Sequence, residues 1–180
     1  MMKMIKDRQS KVYDSLKGIF GYKNKMQTPA VVKVVVSSGI GSLKDKQKAE
    51  IIPDRLSLIT GQKASPRPAK KSIASFKLRE GSIIGYQVTL RGAGALAFLD
   101  KLINIALPRT RDFRGLKRSA VDEMGNLTIG VKEHTIFPET SDEELKNVFG
   151  MSVTVVTTAK DKTEALKYLE ALGFPFKKEG

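Results

Sequence analysis

Between positions 83 and 92 the chain reads IIGYQVTLRG, and this alternation constrains the fold more than any other stretch. Successive side chains of a strand point to opposite faces, so Ile84, Tyr86, Val88 and Leu90 share one face and Gln87, Thr89 and Arg91 the other. A strand that is dry on one side and wet on the other belongs to a sheet with one covered face. VVKVVVSS at 31–38 is β-branched and ends at Gly39-Ile40-Gly41. Leu127, Ile129 and Val131 alternate, and MSVTVVTTA at 151–159 reads as the last strand. QKASPRPAKKSIASFKLREG at 62–81 reads as a short edge strand followed by an exposed basic loop.

Helical spacing fills the intervals. Ile5, Val12, Leu16, Ile19 and Phe20 form a stripe among lysines that stops at Gly21. Ala49, Ile52, Leu56 and Ile59 continue past Pro53, whose ring breaks an interior turn, so a kink is expected there, or a restart with Pro53 in the first turn. Leu96, Leu99, Leu102, Ile103 and Leu107 mark a helix ended by Pro108. The final helix opens at Asp161 with Glu164 at capping-box spacing, and buries Ala165, Leu166, Leu169 and Leu172 before Gly173. The fold class is α+β: a five-stranded, mostly antiparallel sheet with helices packed on one face, in a single domain over 1–180.

Composition limits the chemistry. Without cysteine there are no disulfides, thiolate metal sites or Cys nucleophiles, and with one histidine, His134, any zinc site or Ser-His-Asp triad must be built on that residue. His134 is read as an ordinary loop residue. No enzyme, metal site or cofactor is expected. No apolar run is long enough to span a bilayer, and the charged N-terminus lacks a signal-peptide core, so no membrane span or export is expected. An anionic membrane surface is the other partner such a basic chain could suit, after nucleic acid, but no membrane partner is expected. The turn GIGSLK at 39–44 imitates a dinucleotide-binding loop, but it lacks the third glycine, and QKASPRP offers bases where the ribose-binding acid belongs.

Lys and Arg number 32 against 19 Asp and Glu, a formal net charge of +13. Charge of this sign and size attracts polyphosphates, with a solvated basic surface as the plain alternative. The basic loops at 63–79 and 108–118 flank the sheet's wet face. Charge there supplies affinity, and hydrogen-bonding side chains supply selectivity. No RNP-like string occurs and Tyr86 falls on the core parity, so the expected mode is backbone and shape reading of folded RNA. A general RNA chaperone or translation factor remains the rival RNA-binding class.

Six strings, in order, are KVVVSSGIG at 33–41, LITGQKASPRPAKKSIASFKLREG at 58–81, QVTLRG at 87–92, LPRTRDFRGL at 107–116, GVKEHTIFPE at 130–139 and GMSVTVVTTAK at 150–160. Together they resemble the bacterial form of the large-subunit ribosomal protein L5 family, from the first helix to the GFPF near the C-terminus. The resemblance implies a structural protein of the large subunit, in the cytoplasmic ribosome or in that of an organelle, that binds 5S rRNA in the central protuberance. It implies RNA contacts from Lys33, Gln62, Thr89 and Arg91, and from Ser37, which stands where the family usually has asparagine. Lys70, Lys71, Ser72, Ser75, Lys77 and Arg79 lie in a loop that resembles the family's hairpin to P-site tRNA. Arg109, Arg111, Asp112 and Arg114, with the acidic Glu143 and Glu144, resemble the region that bridges to a small-subunit head protein. Large-subunit rRNA and other central-protuberance proteins complete the implied partners, with no homo-oligomer.

Overall fold

A computed structural model describes residues 4–41, 46–141 and 147–177. Helices α1 (Ile5–Phe20), α2 (Lys46–Thr60), α3 (Gly92–Lys101), α4 (Leu107–Arg109) and α5 (Lys162–Leu172) accompany strands β1 (Val31–Gly39), β2 (Ser65–Pro68), β3 (Ile83–Leu90), β4 (Leu127–Val131) and β5 (Met151–Thr157). The strands form one open antiparallel sheet in the order β2-β3-β1-β5-β4, so the expected α+β class and strand number hold. β2, with prolines at 66 and 68, sits at an edge, where a missing N–H breaks no ladder. Buried and less buried residues alternate along β4 and β5 throughout and along most of β1, each strand hiding one face. Backbone contacts divide the chain into two compact units.

The first unit comprises Met1–Val34, Arg91–Ile129 and Thr154–Gly180. Here α1 packs on α5 and α3 through buried Ile5, Val12 and Leu16. The Ile5 N–H donates to Asp100 Oδ1 at 2.7 Å, and Arg8 Nη1 donates to the Leu172 carbonyl at 2.9 Å, placing a cation at the negative end of α5. α3 passes through a π-helical turn, Leu102–Ala106, into α4, so the helical run outlasts Pro108 and ends at Arg109. Proline cannot donate to the carbonyl four residues back and crowds it, and the wider turn before it accommodates both effects.

The capping box expected at Asp161 is absent. Asp161 is the N-cap residue, but its side chain caps nothing. Glu164 is buried instead, accepting the Lys160 N–H at 2.7 Å and the phenolic O–H of Tyr22. Tyr22 thereby ties the segment after α1 to the start of α5.

The second unit comprises Val35–Leu90 and Gly130–Val153. α2 runs unbroken through Pro53, neither stopping nor restarting there, and buries Ile52, Leu56 and Ile59 while packing on β3. The lost hydrogen bond and ring clash cost about 3 kcal/mol, which burial of that apolar stripe offsets. His134 is no ordinary loop residue: it is fully buried and stacked on Phe149 at 4.0 Å, with Nδ1 accepting the Phe149 N–H at 3.3 Å.

Burial, then the adjacent Glu164 carboxylate, holds the Tyr22 hydroxyl well above its ordinary pKa. A phenol raised in the folded state contributes stability in full below its unfolded pKa of about 10, and loses that contribution as pH rises beyond it. Stability by urea denaturation should therefore fall above about pH 10, and Tyr22→Phe should cost about 1–3 kcal/mol near neutrality while flattening that alkaline decline. An unchanged alkaline decline in the variant would locate its origin elsewhere.

Candidate nucleic-acid interface

In the second unit, Ser65 pairs with Gln87 and Arg67 with Gly85 across the antiparallel β2–β3 ladder. Directly paired residues share a face, so Ser65, Arg67, Gln87 and Thr89 lie on the same side. Pro68 then pairs with Ile83, leaving Ile84 as an extra residue on β3, and its carbonyl accepts the Ile40 N–H at 2.8 Å. Val88 and Leu90 are buried and Gln87 and Thr89 half-buried, as the alternation requires, but Ile84 and Tyr86, expected on the dry face, are half-buried too, and Gly85 is buried between them where the register shifts. Gly85 is fixed by close approach: a Cβ there would lie 2.8 Å from the Ser38 carbonyl oxygen.

Ser37 is half-buried on β1, and its Oγ shares a hydrogen bond with Ser152 Oγ on β5 at 2.9 Å. One hydroxyl position of Ser37 is thus engaged within the sheet, leaving less for a ligand than an asparagine amide would offer. Gln62 is exposed just beyond α2, where its carbonyl accepts the Thr60 hydroxyl at 3.1 Å. Gly61, with φ of 70°, ends that helix.

The segment after β2 is a closed hairpin. The Ala69 N–H donates to the Ser82 carbonyl at 2.8 Å, and the Gly81 N–H donates to Ala69 at 3.0 Å. Farther out, Ile73 and Leu78 exchange N–H···O bonds at 3.1 Å, and the Glu80 N–H donates to Ser72 Oγ at 2.9 Å. Lys70, Lys71, Ser72, Ser75, Lys77 and Arg79 are all exposed. Lys77 takes a left-handed φ of 52°, which lets the chain reverse at the tip.

In the first unit, Lys33 is half-buried on β1 and Arg91 is exposed. Arg91 lies one residue past β3, as the N-cap of α3, and so is not the strand residue that the alternation suggested. Thr128 Oγ1 and Thr154 Oγ1 are 3.1 Å apart, a cross-strand hydroxyl pair on the uncovered parity of β4 and β5. Sequence reading passed over Thr128, Ser152 and Thr154, although alternation in LTIGV and MSVTVVT marks them. Arg109, the last residue of α4, and Arg111, Asp112 and Arg114 in the loop after it are all exposed, and Asp112 has φ of 54°. Gly115 follows with φ of 99°, and a Cβ there would meet the Lys177 backbone nitrogen at 2.9 Å. The Leu116 N–H donates to Pro175 at 2.7 Å and Lys177 donates back to Leu116 at 2.9 Å, so this basic loop is laced to the C-terminal segment.

Glu143 and Glu144 lie outside the described residues, as do positions 42–44 of the GIGSLK turn. Among the described residues no group of His, Asp and Glu could hold a metal ion, and no helix is long and apolar enough to cross a membrane.

Two family models match the chain: ribosomal protein L5 over residues 24–79 and the C-terminus of the same ribosomal family over 83–176. The chain belongs to the ribosomal protein L5 family. A relative from Thermoanaerobacter sp., named large ribosomal subunit protein uL5, is 46% identical over 179 residues, covering 99% of this chain and 100% of its own. Proteins of the same name from Lawsonia intracellularis (49% identical over 180 residues, 99% and 100% covered) and Flavobacterium johnsoniae (48% over 171, 94% and 93%) are similarly close. Membership of the L5 family makes the chain a structural, non-enzymatic constituent of the large subunit of the cytoplasmic ribosome, associated with rRNA.

In this L5-family sheet the fit of Gly85 against β1 is testable. Gly85→Ala should destabilise the protein by about 1–3 kcal/mol, the usual cost of overpacking against backbone that cannot yield. A denaturant midpoint equal to that of the parent would show that β1 and β3 can separate locally at no cost.

Proposed function

We propose that the protein anchors 5S rRNA in the central protuberance, touches P-site tRNA through its 69–82 hairpin, and joins an intersubunit bridge. The observation that carries the first part is an uncovered sheet face of hydroxyl, amide and basic side chains on a chain of formal charge +13. Neutral groups such as Ser37, Gln62 and Thr89 suit sugar edges and phosphate oxygens, and Lys33 and Arg91 add charge. Contacts with the rest of the large-subunit rRNA and with other central-protuberance proteins belong to the same reading.

The hairpin suits tRNA because it projects cations from a backbone-bonded frame, an arrangement distinct from the floppy basic loop that composition alone allows. The bridge reading rests on Arg109 at the end of α4 and Arg111, Asp112 and Arg114 in the loop after it, with Glu143 and Glu144 contributing the opposite charge. Mixed signs suit a protein contact that re-forms as subunits rotate. We also take all 180 residues as one domain, since β1 and β5 each contribute residues to both compact units.

Thr89→Ala combined with Arg91→Ala should weaken 5S rRNA binding on the order of tenfold and lower the salt slope by about one. Unchanged retention on filters would remove both residues from the contact. Deleting Ser72 to Lys77 should spare 5S rRNA affinity and speed P-site tRNA release from ribosomes; loss of 5S binding would overturn this division of labour. Affinities for 5S rRNA and an unrelated hairpin should differ across a salt titration, whereas equal affinity and slope would favour a general RNA chaperone. Calorimetry should give a single cooperative transition, and two separable transitions would split the domain.

A further inference from the structure

The hairpin carries a feature that charge does not explain. Phe76, in the single 3₁₀ turn Ala74–Phe76 at the tip, is 71% exposed, and Ile73 beside it is 43% exposed. Water-exposed phenyl rings are unfavourable, and this one sits at the tip of a hairpin whose backbone is bonded below it. The Ile73–Leu78 pair and the Lys77 N–H to Ala74 carbonyl bond at 3.0 Å hold the turn. Left-handed Lys77 reverses the chain directly after Phe76, in a backbone conformation that a glycine would take without strain. The hairpin therefore carries one exposed ring on the same short segment as exposed Lys70, Lys71, Lys77 and Arg79, with Glu80 as the first acid after them.

We propose that Phe76 is a base-stacking residue: its ring lies on the exposed face of a nucleobase at a loop or helix end of folded RNA, while Lys71, Lys77 and Arg79 meet neighbouring phosphates. An apolar protein pocket is the other natural home for a lone phenyl ring. The cations on the same segment argue against a protein partner, because an RNA loop offers a π-face and phosphates together. This placement rests on reading the hairpin as a tRNA contact only for the identity of the RNA, not for the stacking itself. It also differs in kind from the sheet face, where hydroxyls rather than rings are available.

The test uses ribosomes assembled with the full-length chain carrying a photoreactive phenylalanine analogue at position 76, filled with P-site tRNA. Crosslinking to a tRNA base is expected. A crosslink to an rRNA base would sustain stacking while defeating the tRNA assignment, and a crosslink to protein would overturn stacking. In parallel, Phe76→Ala and Phe76→Leu should each raise the tRNA release rate about tenfold with the salt slope unchanged, and Phe76→Tyr should match the parent. Lys71→Ala should lower the slope by about one. If Phe76→Leu behaves as the parent, the residue acts as a generic apolar contact and the stacking proposal fails. None of these variants should change 5S rRNA affinity, which separates this proposal from the sheet-face reading.

Discussion

Everything in this protein depends on a sheet whose two faces obey different chemistry. One parity of β1, β4 and β5 is largely valine, leucine, isoleucine and methionine, and is buried. The other parity is rich in serine and threonine, and its hydroxyls bond to one another across strands, Ser37 to Ser152 and Thr128 to Thr154. A hydroxyl that already has one protein partner keeps a remaining lone pair or proton for water or ligand. Such a face is stable when wet and loses little when a sugar or phosphate replaces the water. The same alternation that closes the core therefore prepares the surface proposed to meet RNA.

Much of this was legible because period-two patterning is local. Strands β3, β4 and β5 and most of the buried stripe of α5 follow from Val88, Leu90, Ile129, Val153, Ala165 and Leu169 alone, although Leu166, expected inside, is half-buried and Tyr168 is buried instead. What escaped the sequence was decided by distant partners. Glu164 stands at the right spacing to cap its own helix, but Tyr22 lies 142 positions earlier and competes for its carboxylate within a buried setting. His134 looks like loop because its neighbours are polar and irregular, yet Phe149 supplies both a stacking ring and an N–H. Arg91 shares parity with Thr89, but the alternation cannot say that the strand ends one residue before it.

The site was legible to a different degree. Thr89 and Gln87 follow from the pattern, whereas Gln62 and Lys33 stood out only through family resemblance, since neither an exposed amide after a helix nor a lysine in a strand is unusual in itself. The structure adds a signal that sequence could not carry: among the described residues, the two non-glycine positions with positive φ are Lys77 and Asp112, one in each basic loop. Side chains in that region are strained, and folds retain them where the surroundings over-determine the backbone or where the side chain is wanted at that point. Both loops are also laced by backbone bonds, the first onto itself and the second onto the C-terminal segment, so their charges are held at defined places.

Defined placement matters because a charge of +13 by itself discriminates poorly. Counterion release makes any RNA attractive and makes the attraction fade with salt, in proportion to the phosphates engaged. Contacts from neutral hydroxyls and amides release no counterions, so their contribution persists where the charge term is screened. A chain among densely packed phosphates of competing RNAs therefore needs the second kind of contact to choose its partner and the first to be drawn to it. The fold supplies both: hydroxyls and amides stand on the sheet, where the ladder fixes their spacing, and the cations of the two laced loops are held where the backbone bonds place them, adding an attraction that is itself long-ranged and undirected.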